Sequence, residues 1–72
     1  MDNINKKDLD RVISVGRTVW NVLTDDEQEK TVVYDGTYGF VENVCLLLQV
    51  NTIGFGENEM EYIHDGIFGT ES

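Results

Sequence analysis

The residues best suited to chemistry lie near the end of the chain. Glu57, Glu61 and Asp65 recur every four residues. On a helix that spacing stacks three carboxylates on one face, each step rising ~6 Å along the axis. Phosphates of a nucleic-acid strand repeat on a comparable scale, one charge per ~3.4 Å of axis. Glu59, Glu42 and Asp35 add to this acidity, and neither Lys nor Arg follows position 30. Like charges at i and i+4 destabilise a helix by roughly 0.2–0.5 kcal/mol per pair. A chain that keeps such pairs without interleaved lysine is suited to gripping a basic surface. The plainer role of the same face is to keep a small protein in solution.

Other chemistry has weaker support. Glu61 and His64 form a Glu-x-x-His pair, half of a carboxylate-bridged di-metal site. The motif occurs once and His64 is the single histidine, so Glu57, Glu61 and His64 would need a second copy of the chain to build a metal-dependent enzyme. Serine appears at Ser14 and Ser72 alone. Cys45 lies inside the apolar run Val44-Cys45-Leu46-Leu47-Leu48, which predicts a buried small hydrophobe, where a thiolate would be disfavoured. As the single cysteine it cannot form an intrachain disulfide. Gly54-Phe55-Gly56 lacks the lysine and the strand-to-helix context of a phosphate loop. Acid–base catalysis by the carboxylates would need a pocket that separates their pKa values, which about seventy residues rarely enclose. The expectation is a non-enzymatic protein with no metal and no cofactor.

The chain has 72 residues, fourteen acidic against five basic, a formal net charge of −9 and a pI near 4.1. That length predicts a single domain over 1–72. A hydrophobic fraction of 40% is too high for a disordered acidic tail. The charge is lopsided. The first thirty residues hold seven acids and all five bases, whereas 31–72 holds seven acids and no base. Direct phosphate binding, which needs clustered Lys and Arg, is disfavoured. The longest apolar run is five residues against the ~20 needed to span a bilayer. A lone cysteine and the lack of a signal-like apolar segment predict a cytoplasmic setting.

The elements that would hold these residues read as helices. In 6–23, Leu9, Val12, Ile13, Gly16, Val19, Trp20 and Leu23 share one face, with Asn5 a candidate N-cap and Asp8 in the first turn. Thr24-Asp25-Asp26-Glu27 has the capping-box pattern, and Asp35-Gly36 supplies a stop after Tyr34. The β-branched run Thr31-Val32-Val33 makes a hairpin around Asp35-Gly36 a rival. Residues 38–50 repeat apolar side chains nearly all round, which predicts a central helix. After a loop over 51–56, Asn58 is a candidate cap with Glu61 at N3, and Met60, Ile63 and Ile67 point inward. Asp65-Gly66 weakens that helix near its end, and Phe68 tucks back before the tail. The expected fold is a mostly α, small single-domain bundle of three to four short helices, with an α+β form containing the hairpin as the alternative.

Size, acidity and the lack of a catalytic set resemble the small inhibitors that bacteriophages and mobile elements encode against host proteins, several of which resemble DNA in charge. The likeness covers composition, not aligned residues. It implies an acidic protein that occludes a basic, nucleic-acid-binding surface of a larger host protein in the host cytoplasm, with DNA mimicry as one form. The expected partner-binding residues are Glu57, Glu59, Glu61, Asp65, Glu42 and Asp35, with Asp25, Asp26 and Glu29 as a second set and Tyr34 and Tyr38 as rim anchors. The other reading is a helical oligomerisation or adaptor module that associates through an apolar stripe exposed on 9–23 or 40–48, where a homodimer would complete a small core.

Overall fold

The structure, a computed structural model, describes residues 6–69. Four helices account for most of them: α1 (Lys6–Val22), α2 (Asp25–Tyr34), α3 (Gly36–Leu47) and α4 (Glu57–Phe68). This is the mostly α bundle expected, and the hairpin alternative is overturned. The reason lies at both ends of α2. At its start the Thr24 hydroxyl accepts the Glu27 N–H while the Glu27 carboxylate accepts the Thr24 N–H at 2.8 Å. Two otherwise unpaired donors are thereby satisfied, and the helix is nucleated ahead of its β-branched segment. At its end the Asp35 N–H bonds to the Thr31 carbonyl at 2.8 Å. Gly36, at φ 77°, then redirects the backbone straight into α3. That left-handed φ costs glycine little and other residues more. With one residue between two helices, no strand can form on either side of Asp35-Gly36.

α1 and α4 run parallel, as their paired contacts show. The Tyr62 hydroxyl donates to Asp10 at 2.9 Å, Gly66 faces Ile13, Gly16 faces Ile67, and Trp20 meets Phe68 at 4.8 Å between ring centroids. Trp20 also meets Phe40 near the start of α3 at 5.1 Å. α3 therefore leaves from the Trp20 end of α1 and runs back, so that α4 can begin beside Lys6 and Leu9. The three helices enclose one core: Leu9 and Val12 from α1, Phe40, Val41, Val44 and Cys45 from α3, and Ile63 and Ile67 from α4. Trp20 and Phe68 pack edge-on against that core as expected, a favoured aromatic geometry.

Several local expectations are corrected. α3 begins two residues earlier and ends three residues earlier than the 38–50 pattern suggests. It is central as expected, packing against α1, α2 and α4, but its far end is uncovered: Leu46 and Leu47 are 74% and 69% exposed. An apolar side chain is buried only where a neighbouring helix covers it, and no described helix covers this side of α3. α4 begins at Glu57 with Gly56 at its N-cap, and Glu59 rather than Glu61 acts at N3, its Oε1 accepting the Gly56 N–H at 2.7 Å. Asn58 thus lies inside the first turn and caps nothing. The candidate cap Asn5 and residues 70–72 of the tail lie outside the described residues.

The end of α3 carries a strained residue. The Val50 N–H reaches the Cys45 carbonyl at 2.8 Å and the Gln49 N–H reaches that of Leu46 at 3.1 Å, the bonding pattern of a Schellman cap. The cap needs a left-handed residue at position 49, and Gln49 occupies it at φ 60°. Gln49→Gly is expected to stabilise the fold by ~0.5–1 kcal/mol, read as a higher urea midpoint at unchanged slope. An equal or lower midpoint would contradict the strain assigned to this position.

Candidate interaction surface

α4 separates its charges from its contacts. Tyr62, Gly66 and Ile67 meet α1, and His64 and Phe68 meet α3. All three carboxylates of Glu57, Glu61 and Asp65 are exposed: Glu61 and Asp65 fall on the remaining arc, and Glu57, seven residues before His64, stands at the N-terminal end of the α3-facing side. The structure therefore brings these three carboxylates into one outward ridge. α1 carries Lys6, Lys7, Arg11 and Arg17, but it packs on the other side of α4.

Glu59 does not belong to the ridge. Its carboxylate is occupied by the Gly56 N–H, it is half-buried, and it lies beside Lys6 and Leu9 at the α1 side. Sequence spacing alone separates it from the 57-61-65 series by two positions, and the cap gives it a structural task. Glu42 is exposed on α3, one turn beyond Tyr38. Tyr38 stacks on His64 with ring centroids 4.4 Å apart, so Glu42 is on the side of α3 that flanks α4. Asp35 is exposed at the α2–α3 corner, two residues before Thr37, whose hydroxyl meets His64 beside Asp65. Asp25, Asp26 and Glu29 are exposed on α2. The expected acidic set is thus a ridge with Glu42 beside it, plus a second group on α2.

The two tyrosines differ. Tyr38 is partly committed to His64, whereas Tyr34 at the end of α2 is 81% exposed. The structure adds apolar exposure that sequence reasoning misses, Val33 on α2 and Ile53 in the loop, and it leaves Leu46 and Leu47 of the 40–48 stripe exposed on α3. The weak apolar periodicity of Asp25–Tyr34 is the available signal for the first of these.

His64 is held between helices. Its Nε2 shares a 2.8 Å hydrogen bond with the Thr37 hydroxyl, and its Nδ1 sits 3.6 Å from Asp65 Oδ1, too far for a good hydrogen bond. The side chain is sandwiched by Tyr38 and Phe68. Among the described residues no three His, Cys, Asp or Glu side chains converge to hold a metal ion.

Cys45 is fully buried, and burial, reinforced by the Glu42 charge, pushes its thiol above the ordinary value of 9.0. Both causes disfavour the thiolate, the reverse of what a nucleophile requires. The linkage has a definite sign. The unfolded chain releases the thiol proton near pH 9 while the folded chain still holds it, so stability falls as pH rises through that range. Cys45→Val is expected to flatten the fall in denaturation midpoint between about pH 8.5 and 9.5. An unchanged slope would assign the alkaline loss to other groups.

An open groove of about 540 Å³ runs along the exposed side of α1, reached by Tyr62 and lined mainly by polar side chains, Arg17 among them. No described helix is long and apolar enough to cross a membrane. Comparisons with family models, with curated proteins and with solved structures found no match to this chain.

Proposed function

We propose that this is a small acidic binding protein, not an enzyme, which occludes a basic, nucleic-acid-binding surface of a larger protein in the manner of phage or mobile-element inhibitors. The observation that carries the proposal is the outward ridge of Glu57, Glu61 and Asp65, turned away from the basic helix α1. A row of carboxylates on a helix that contains neither Lys nor Arg presents negative potential at a regular rise, as a nucleic-acid strand does. Opposite potentials accelerate encounter and make association weaken with salt. Glu42 widens the field, and Tyr34 supplies an aromatic anchor of the kind that dominates interface energies. The cytoplasm, where such partners are found, is the proposed compartment.

The test is capture from lysate of the native host at low and high salt, with the full chain and with a Glu57→Lys, Glu61→Lys, Asp65→Lys variant. A basic nucleic-acid-binding protein released by salt and not retained by the folded variant is the expected result. Retention that ignores both salt and the charge reversal would reject the proposal. A second reading, association through apolar surface, is favoured by the exposure of Leu46, Leu47 and Ile53. It predicts complexes that persist in high salt and are lost when those residues become serine.

A further inference from the structure

α2 is unusual among the four helices because none of its side chains is buried. A ten-residue helix is marginal in water by itself. Here it is held by its capping box, by packing against α3, and by a bond from Gln28 Nε2 to the Trp20 carbonyl at 2.7 Å. Gln28 and Thr31, the less exposed residues, mark its inner side. The outer side presents Asp26, Glu29 and Val33 at i, i+3 and i+7, with Lys30 and Tyr34 beside them, around an open furrow of about 270 Å³. Val33 is 69% exposed, and among the described residues the Tyr34 ring meets no other aromatic ring.

The charges around this apolar pair identify what fits it. Asp25, Asp26 and Glu29 precede it, Asp35 follows it, and Lys30 is the one base in the helix. A second copy of the chain would bring the same acidic collar and a net charge of −9 to the contact, and like charges placed together oppose association. A partner with apolar residues flanked by Lys and Arg matches both features, covering Val33 and Tyr34 while neutralising the collar. We infer that the outward face of α2 docks a cationic amphipathic segment of a partner protein, with Val33 and Tyr34 as its apolar anchors. This deepens the proposed function and rests on its premise of a basic partner. The division of labour follows from the geometry: the α4 ridge contributes long-range attraction, and the α2 face contributes the contact that distinguishes one basic protein from another.

Two peptides of equal length and charge test this by calorimetry on the full chain, one a Leu/Lys amphipathic helix former and the other with serine in place of leucine. The Leu/Lys peptide is expected to bind at least about tenfold more tightly. Val33→Ser with Tyr34→Ser should remove that excess and leave binding of the Ser/Lys peptide unchanged, while Leu46→Ser with Leu47→Ser should leave the excess in place. Circular dichroism confirms that the exposed substitutions leave the fold intact. Equal affinity for the two peptides, or an excess that survives the α2 substitutions, overturns the inference. So does sedimentation showing a dimer that the α2 substitutions dissolve, because the occupant is then a second copy. Failure of the broader reading is seen separately: Ser/Lys peptide binding that ignores the Glu57, Glu61 and Asp65 reversals removes the ridge from recognition without touching the α2 comparison.

Discussion

Gly66→Ala is expected to destabilise the protein by about 1–3 kcal/mol, although glycine-to-alanine in an exposed helix interior stabilises by about 1 kcal/mol. The inversion of sign comes from the α1–α4 contact. A Cβ at position 66 would lie 2.7–2.9 Å from Cδ1, Cγ1 and Cγ2 of Ile13. Rotating the far end of the isoleucine cannot relieve all three contacts, since Cγ1 and Cγ2 branch directly from its Cβ. The helices would have to move apart, loosening Ile63 and Ile67 in the core behind them. At roughly 0.05–0.15 kcal/mol per residue a chain this short has few kcal/mol to lose, so the shift is a large part of the total. Gly16→Ala meets chiefly the end of the Ile67 side chain and should cost less. Urea denaturation of Gly66→Ala, Ile13→Ala and the double variant checks the cause. In the Ile13→Ala background, alanine at position 66 should become neutral or stabilising, a coupling on the order of 1–3 kcal/mol. A Gly66→Ala protein more stable than the parent, or additive behaviour in the cycle, would mean that the helices do not meet as described.

Glu61→Lys is expected to move stability and binding in opposite directions. Glu61 is the middle carboxylate of the ridge, so its repulsion with Glu57 and with Asp65 becomes attraction when its sign is reversed. Each i,i+4 pair of opposite charge contributes roughly 0.2–0.5 kcal/mol, and each repulsive pair costs a similar amount. Removing two repulsions and adding two attractions should stabilise the fold by about 1 kcal/mol at low ionic strength, decreasing with salt. The pair between Glu57 and the new lysine has its acid on the N-terminal side, the better orientation, and should supply the larger share. Binding to a basic partner should weaken by about tenfold or more, mainly through slower association. Thermal denaturation with low- and high-salt binding kinetics reads both quantities. A stabilised protein whose binding is unchanged would leave the ridge as a solubilising feature only. A weakened interaction in a stabilised protein would identify a stretch of helix whose stability is compromised for recognition.

Much of the secondary structure is legible from local chemistry. The stripe through Leu9, Val12 and Gly16 announces α1 and its buried side. Thr24 and Glu27 announce the start of α2, and Asp35-Gly36 its end. These signals are short-range: a side-chain oxygen near unpaired N–H groups, a residue tolerant of positive φ, a repeat of 3.6. The ridge of Glu57, Glu61 and Asp65 is legible for the same reason, because helical spacing alone aligns it. Glu59 escapes such a reading because the start of α4 depends on where the preceding loop delivers the chain, and Asn58 offers a plausible cap two residues too late.

What depends on neighbours distant in sequence cannot be read in that way. Leu46 and Leu47 are as apolar as Val44 and Cys45, yet the first pair is exposed and the second buried. Gly66 reads in the sequence as a weak point of α4 and is instead where α1 makes a close approach. The amino-acid order by itself determined that the chain forms short helices with an acidic, base-free second half, since periodicity, capping and charge are properties of consecutive residues. The tertiary structure alone decided which carboxylates stand clear of α1, which apolar side chains stay uncovered on α2 and α3, and which glycines must remain glycine. Those outcomes depend on how one helix lies against another, and that is set by the simultaneous packing of residues far apart in the chain, such as Ile13 and Gly66.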